Sequence, residues 1–197
     1  RLAILRDKTR MKSMFDELGV PYPRTAVVRR QSIREGLSEL SFPVVTKPLS
    51  GWGSRGVYLL DTPDQIIERF DEVAGYSDAD SIIVEEYDDG YELNMMSWVV
   101  DGEPVVLEIA DREKTADEPL AIPHVSRIVY PSLLIDSVIG EARDIARRVA
   151  RHVGLENGPL CMQFFWRPGR GIQVCECAGR VFGTEHEMLE YATYGRL

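Results

Sequence analysis

The stretch Phe42 to Val57, "FPVVTKPLSGWGSRGV", ends an apolar run on Lys47 and then breaks into Gly51, Gly53 and Gly56. Val44 and Val45 ask for a core, whereas an ammonium and a run of small residues ask for water or an anion. A phosphate satisfies both demands. Backbone N–H groups of a glycine loop can close over phosphate oxygens, Ser54 adds a hydroxyl donor, and Lys47 adds a fixed positive charge. A tight hairpin with Lys47 reaching water along its aliphatic stem accounts for the same residues. "GWGSRG" is literally G-x-G-x-x-G, yet the dinucleotide fingerprint needs a helix next, and "VYLLDTP" alternates as a strand. A Walker loop needs lysine after its last glycine, where Val57 stands, and the kinase lysine follows its loop, whereas Lys47 precedes it. The remaining arrangement is strand, glycine flap, strand.

A second constellation is "LCMQFFWRPGRGIQVCECAGR". Two strands closing on Pro168 to Gly171 are predicted to pair Arg167 with Ile172, Phe165 with Val174 and Gln163 with Glu176. The last two then face each other within about 5.5 Å at their backbones. Alternation sends Cys175 and Cys177 into apolar packing and leaves Glu176, Ala178 and Arg180 on the other face. An amide oxygen and a carboxylate from adjacent strands suit Mg²⁺ that also holds phosphates, and a guanidinium suits a phosphate or developing negative charge. A surface ion pair between Glu176 and Arg180 is the plainer alternative. A third stretch, "IIVEEYDDGYE", turns from apolar to acidic. Backbone groups around Glu85, Glu86 and Asp88 can pair with a purine edge, and Glu92 can accept two ribose hydroxyls. A solvated acidic turn is again the alternative.

Positioning these residues requires a mixed α/β frame. Residues 7–18 have Met11, Met14, Phe15 and Leu18 at helical spacing, closed by Gly19 and Pro21. "RTAVV" reads as a strand, "SIREGLSEL" as a helix with a capping box from Ser32 and Glu35, and "FPVVTKP" and "RGVYLLD" as strands around the flap. A helix starts at Pro63 and "SIIVEEY" is a further strand. Beyond it the pattern is chiefly β, with a hairpin at Asp101-Gly102. A strand over 125–130, a helix over 132–153 starting at Ser132, and a last helix from about Thr184 complete the chain. Residues 1–88 form one lobe and residues 89–197 the other, with the boundary near Tyr87 to Gly90.

A chain of 197 residues, 44% hydrophobic, has enough apolar material for a substantial core. With 23 basic against 32 acidic residues its long-range field repels nucleic acid and anionic membranes. No apolar run approaches the roughly 20 residues of a membrane helix. Three cysteines, without metal or disulfide spacing, fit a reducing cytoplasm. The first residue is Arg and the text runs straight into a structured pattern, so a missing amino-terminal neighbour is expected.

Taken together and in order, "DKTRMKSMFDELGVPYP", the lysine strand with its flap, "IIVEEYDDGYELN" and "MQFFW...QVCECAGR" resemble the ATP-grasp superfamily over nearly all of the chain, in particular its carbamoyl-phosphate synthase and biotin-carboxylase-like branch. The resemblance implies the α/β ATP-grasp fold: two lobes with a nucleotide cleft between them, an antiparallel sheet in the second lobe, and a preceding domain. It implies that Lys8 and Lys47 contact phosphates, that Ser54, Gly51, Gly53 and Gly56 cover them, and that Glu85, Glu86 and Asp88 hold adenine. Glu92 would hold ribose, Gln163 and Glu176 would hold Mg²⁺, and Arg180 and Lys47 would act in catalysis. The activity implied is ATP-dependent activation of a small-molecule carboxylate as an acyl phosphate for attack by an amine. The family usually writes its last motif E-x-N-x-R, and Ala178 stands where that Asn belongs. This departure keeps open a degenerate, non-catalytic nucleotide-binding or sensing module. A carboxylase subunit would need carrier contacts that are not legible. Glu185, His186 and Glu187 are candidate replacement ligands, although His186 reads more simply as a helix-start histidine. Arg112 and Lys114 in "DREKT" are either phosphate cations or part of a mobile charged loop. Acceptor and oligomeric state are not legible.

Overall fold

The computed structural model describes residues 2–50, 55–77, 79–115 and 124–195. The first helix, α1 (Lys8–Leu18), starts where the Asp7 side chain accepts the N–H groups of Thr9 and Arg10, each at 3.0 Å. It stops at Gly19, whose φ of 62° is open to glycine without strain.

The smaller sheet is antiparallel throughout, in the order β1 (Thr25–Arg29), β4 (Ser81–Glu86), β2 (Val44–Lys47), β3 (Tyr58–Leu60). Val28, Val44, Leu60, Ile82 and Val84 pack against α2 (Ile33–Gly36) and α3 (Pro63–Gly75). Successive strand residues point to opposite faces, so Lys47 and Glu85 emerge on the face turned away from those helices. Thr62 and Gln65 form a reciprocal capping box at the start of α3. The capping box expected at Ser32 does not form. The chain is already turning through a 3₁₀ segment at Arg30–Ser32, Ser32 is not in the extended geometry of a cap, and α2 is a single turn.

The larger sheet runs β7 (His124–Val129), β6 (Glu103–Thr115), β5 (Tyr91–Val100), β8 (Gly158–Arg167), β9 (Gly171–Ala178), again all antiparallel. Asp101 and Gly102 both have positive φ, 50° and 80°, as a two-residue hairpin turn demands. "DREKT" is not a loop: it completes β6 and pairs with β7. One face of this sheet, with Leu93, Met95, Met162, Phe164, Val174 and Cys177, forms the main core against α4 (Ile135–Val153). That helix begins three residues later than expected, because the Ser132 hydroxyl is engaged with Asp111 at 2.5 Å and accepts the Leu134 N–H at 3.0 Å. A last helix, α5, spans Gly183–Tyr194.

The opening helix does not pack where the 1–88 lobe put it. Met11, Met14 and Phe15 fill the core of the larger sheet together with Leu5 and Val20. The chain passes from the smaller sheet to the larger across residues 87–90, and the Glu86 N–H reaches back to the Arg24 carbonyl at 2.9 Å. Among the described residues no helix is long and apolar enough to cross a membrane.

Candidate active site

Gln163 and Glu176 do face each other, but by a route the hairpin alone did not suggest. From the turn the pairs run Arg167 with Gly171, Trp166 with Ile172, Phe165 with Gln173 and Phe164 with Val174, one residue out of the expected register. A bulge beyond Phe164 then takes up one extra residue and restores Gln163 opposite Glu176. The extra residue is Cys175. Val174 and Cys177 both sit in the main core although they are three apart, which a regular strand cannot arrange. Cys175 therefore leaves the apolar layer expected for it. Its Sγ lies 3.7 Å from Lys47 Nζ, and its carbonyl accepts Lys12 Nζ at 3.5 Å.

These contacts bring the two sheets together around Glu85. Its carboxylate is buried and bridges two lysines from different elements, Lys12 on α1 at 3.0 Å and Lys47 on β2 in a short charge-assisted bond. Lys12 also lies over the Tyr22 ring, 4.7 Å from its centroid. The sequence reading passed over Lys12, although it follows Lys8 by four residues and so shares its helix face. Lys8 is within electrostatic reach of Glu176, Lys47 and Glu85, and burial is the main cause that lowers its pKa. Burial opposes the charge of Lys47, but the Cys175 and Glu85 groups beside it outweigh that and carry its pKa well above the usual lysine range. Three lysines and two carboxylates thus converge where α1, β2, β4 and β9 meet.

Glu85 faces the same contest: burial raises its pKa, and Lys47 and Lys12 more than offset this, bringing it from 4.5 down to about 2. A depressed carboxylate contributes stability that is present above its unfolded pKa and is lost as pH falls through the folded one. Urea midpoints are therefore expected to drop between pH 4.5 and about 2, and Glu85→Gln should flatten that limb. An unchanged limb in the variant refutes the assignment.

The other expected positions divide. The Glu86 and Tyr87 N–H groups are not free for a purine edge at this strand end, since they donate to Arg24 at 2.9 Å and Pro43 at 3.0 Å. The buried Asp88 carboxylate accepts the Gly90 N–H at 2.9 Å and meets Arg167 and Arg170 at 3.3 and 3.2 Å, tying residues 87–90 to the β8–β9 turn. Glu92 is engaged on both oxygens, by Arg112 at 2.8 Å and the Gln163 amide at 2.6 Å on one and by Lys114 at 2.6 Å on the other. Arg180 lies beyond the end of β9, exposed, with its guanidinium on the Val181 carbonyl at 3.0 Å and over the Phe182 ring. Gly56 has φ 69°, and a Cβ there would meet the Tyr76 ring at 2.6 Å, so only glycine fits. Gly51, Gly53 and Ser54 lie outside the described residues, as do the side chains of Glu185 and His186; Glu187 is exposed on α5.

Among the described residues no three of His, Cys, Asp and Glu converge to hold a metal by themselves. Gln163 and Glu176 offer one neutral and one charged oxygen, a donor set that fits Mg²⁺ when phosphate oxygens and water complete the octahedron. Ala178 faces Cys161 and packs with Met96, Val181 and Phe182, so an apolar cluster occupies the place of a further ligand.

A sequence profile of the ATP-grasp domain matches residues 40–187. The chain is 26% identical over 191 residues, 96% of its length, to a carbamoyl-phosphate synthase of Methanobrevibacter smithii, of which it covers 49%. It is 34% identical over 140 residues, 68% of its length, to a D-alanine–D-alanine ligase of Glaesserella parasuis, of which it covers 45%. The biotin carboxylase–beta-gamma-ATP complex of Campylobacter jejuni superposes with a TM-score of 0.78 at 17% identity, over 98% of this chain and 44% of that one. The chain spans between about a quarter and a half of the length of the curated relatives it matches. With two antiparallel sheets that meet around the Lys12–Glu85–Lys47 cluster and three quarters of its residues matching one profile, the chain belongs to the ATP-grasp domain family.

Proposed function

We propose that this domain binds ATP with Mg²⁺ and activates a small-molecule carboxylate for C–N ligation. The observation that carries the reading is the convergence of Lys8 and Lys47, with Lys12 behind them, on the Gln163–Glu176 pair. In the first step a carboxylate oxygen attacks the γ-phosphorus, the bond to the bridging oxygen breaks, and ADP leaves. An amine then attacks the acyl phosphate carbon and expels phosphate, losing a proton as the amide forms. Neither step needs a side-chain nucleophile, because charge neutralisation and alignment supply the catalysis. Lys8 and Lys47 are assigned to the phosphates, Gly51, Gly53, Ser54 and Gly56 to a cover over them, and Arg180 to the transferring group, which it would reach on leaving the Val181 carbonyl. Glu85, Glu86 and Asp88 are assigned to the border of the adenine site, with the Glu86 N–H kept by Arg24 and not offered to the base. Gln163 and Glu176 would hold Mg²⁺, which would supply Lewis-acid charge to the phosphates. The partners proposed are small molecules and not nucleic acid, in line with the net charge of −9, and three free cysteines suit a reducing cytoplasm.

One observation favours a second reading, a nucleotide sensor without turnover: the apolar cluster around Ala178 in place of a ligand. Two measurements separate the readings. The Cys175 thiol, pushed up by burial and beside Lys47, should react slowly with a thiol reagent, and MgATP should slow it further. ADP release with a panel of carboxylate and amine pairs should then reveal turnover. Protection without turnover under any pairing supports the sensor; no protection contradicts both.

A further inference from the structure

The amide of Gln163 has one end that can face a cation and one that cannot, so something must decide which way it points. Gln163 lies on β8 with Asn94 of β5 opposite on one side and Glu176 of β9 opposite on the other. Glu92, two residues before Asn94 and therefore on the same face, accepts Gln163 Nε2 at 2.6 Å. The same oxygen takes Arg112 Nε at 2.8 Å, and the second oxygen takes Lys114 Nζ at 2.6 Å. Lys114 is steadied in turn over the Phe165 ring, 5.0 Å from its centroid. The Glu92 side chain is 7% exposed, and those of Arg112 and Lys114 are 22% and 17% exposed. Glu92 accepts from Arg112 and Lys114 through its two oxygens and so serves as an acceptor, and the group that Gln163 presents to it is the NH₂. The carbonyl oxygen is then on the other arm of the amide, turned away from Glu92.

We propose that Glu92, held by Arg112 and Lys114, is a positioning residue that aims the Gln163 oxygen at the metal, and that it makes an amide the required group at position 163. This rests on the reading of Gln163 and Glu176 as the metal pair. A glutamate at 163 would stand within hydrogen-bond reach of Glu92. Two acceptors that close have no donor between them, so the side chain would turn from Glu92 and lose its aim at the metal. Glu92 thereby acquires a role other than contact with ribose.

The test uses Mn²⁺ as probe in the presence of ADP, read by the free-ion resonance signal, beside Mn²⁺-free ADP affinity and thermal melting. In Glu92→Gln the neighbouring amide accepts as readily as it donates, the aim is lost, and Mn²⁺ affinity should fall about 10-fold while metal-free ADP affinity holds. Gln163→Glu alone should bind Mn²⁺ more weakly than the parent. The exchange variant Glu92→Gln/Gln163→Glu restores a donor opposite an acceptor and should bind more tightly than either single variant. Should Glu92→Gln not fold, the exchange variant against Gln163→Glu carries the test. An exchange variant no tighter than the single variants, or unchanged Mn²⁺ affinity in Glu92→Gln while Glu176→Gln weakens it, overturns the positioning role and leaves the metal pair standing. Unchanged affinity in Glu176→Gln overturns the metal pair itself.

Discussion

Lys47→Met is expected to lower turnover by about 10²- to 10³-fold, the effect of removing one preorganised charge from a transferring phosphoryl group. It should also cost about 3 kcal/mol of folding stability, because it strips one of the two cations from a buried carboxylate. The two losses share a cause and separate by experiment. Lys12 still pairs with Glu85 in the variant, at 3.0 Å, so the carboxylate is under-compensated, not abandoned. Lys12→Met strips the other cation from the same buried carboxylate, so it should cost a similar amount of stability while its turnover stays near that of the parent. Chemical denaturation and ADP release measure the two. If Lys12→Met lowers turnover as far as Lys47→Met does, Lys47 serves the fold and not the nucleotide.

Glu176→Gln should weaken Mg²⁺-dependent ATP binding on the order of 100-fold, about 2.7 kcal/mol. Glu176 is half-buried outside the apolar clusters, so the melting temperature should move by no more than about 2 °C. Metal-free ATP provides the sharper control. Glu176 lies within electrostatic reach of Lys8 and Lys47, where it opposes an incoming polyanion. Removing its charge should leave metal-free affinity equal or higher. Calorimetric titration with and without Mg²⁺ reads both; a fall in both arms alike assigns Glu176 to the pocket wall and not to the metal. Ala178→Asn should add little, because its amide enters the cluster of Met96, Cys161 and Phe182.

Much of this arrangement was legible because strand alternation and hairpin closure are local rules. They placed Lys47 at a strand end and Gln163 opposite Glu176. The same rules missed the bulge: an unpaired residue leaves no mark in a sequence of alternating size, and Cys175 looks like any buried cysteine. The correct pair came from a register that is wrong at the turn. Lys12 was passed over because a lysine in a helix reads as a solvated face until a buried acid from a distant strand is seen beside it. Ser32 had the composition of a cap, but the preceding residues had already begun to coil. Glu92 looked available to a sugar because Arg112 and Lys114 read as phosphate cations or as a mobile loop, whereas they belong to the neighbouring strand.

The placement of the opening helix has a consequence for topology. Residues 2–20 and 91–178 make one packed unit, so the smaller sheet is a nested insertion that departs and returns within it. The outgoing segment is bonded to this unit through the Pro21 carbonyl, which accepts the Val174 N–H at 2.8 Å, and to the returning segment through Arg24 and Glu86. Rotation of the inserted module must therefore twist two chains together instead of swinging on one. A circular permutant that keeps both connections should preserve the cleft, whereas cutting either leaves the module on a single tether.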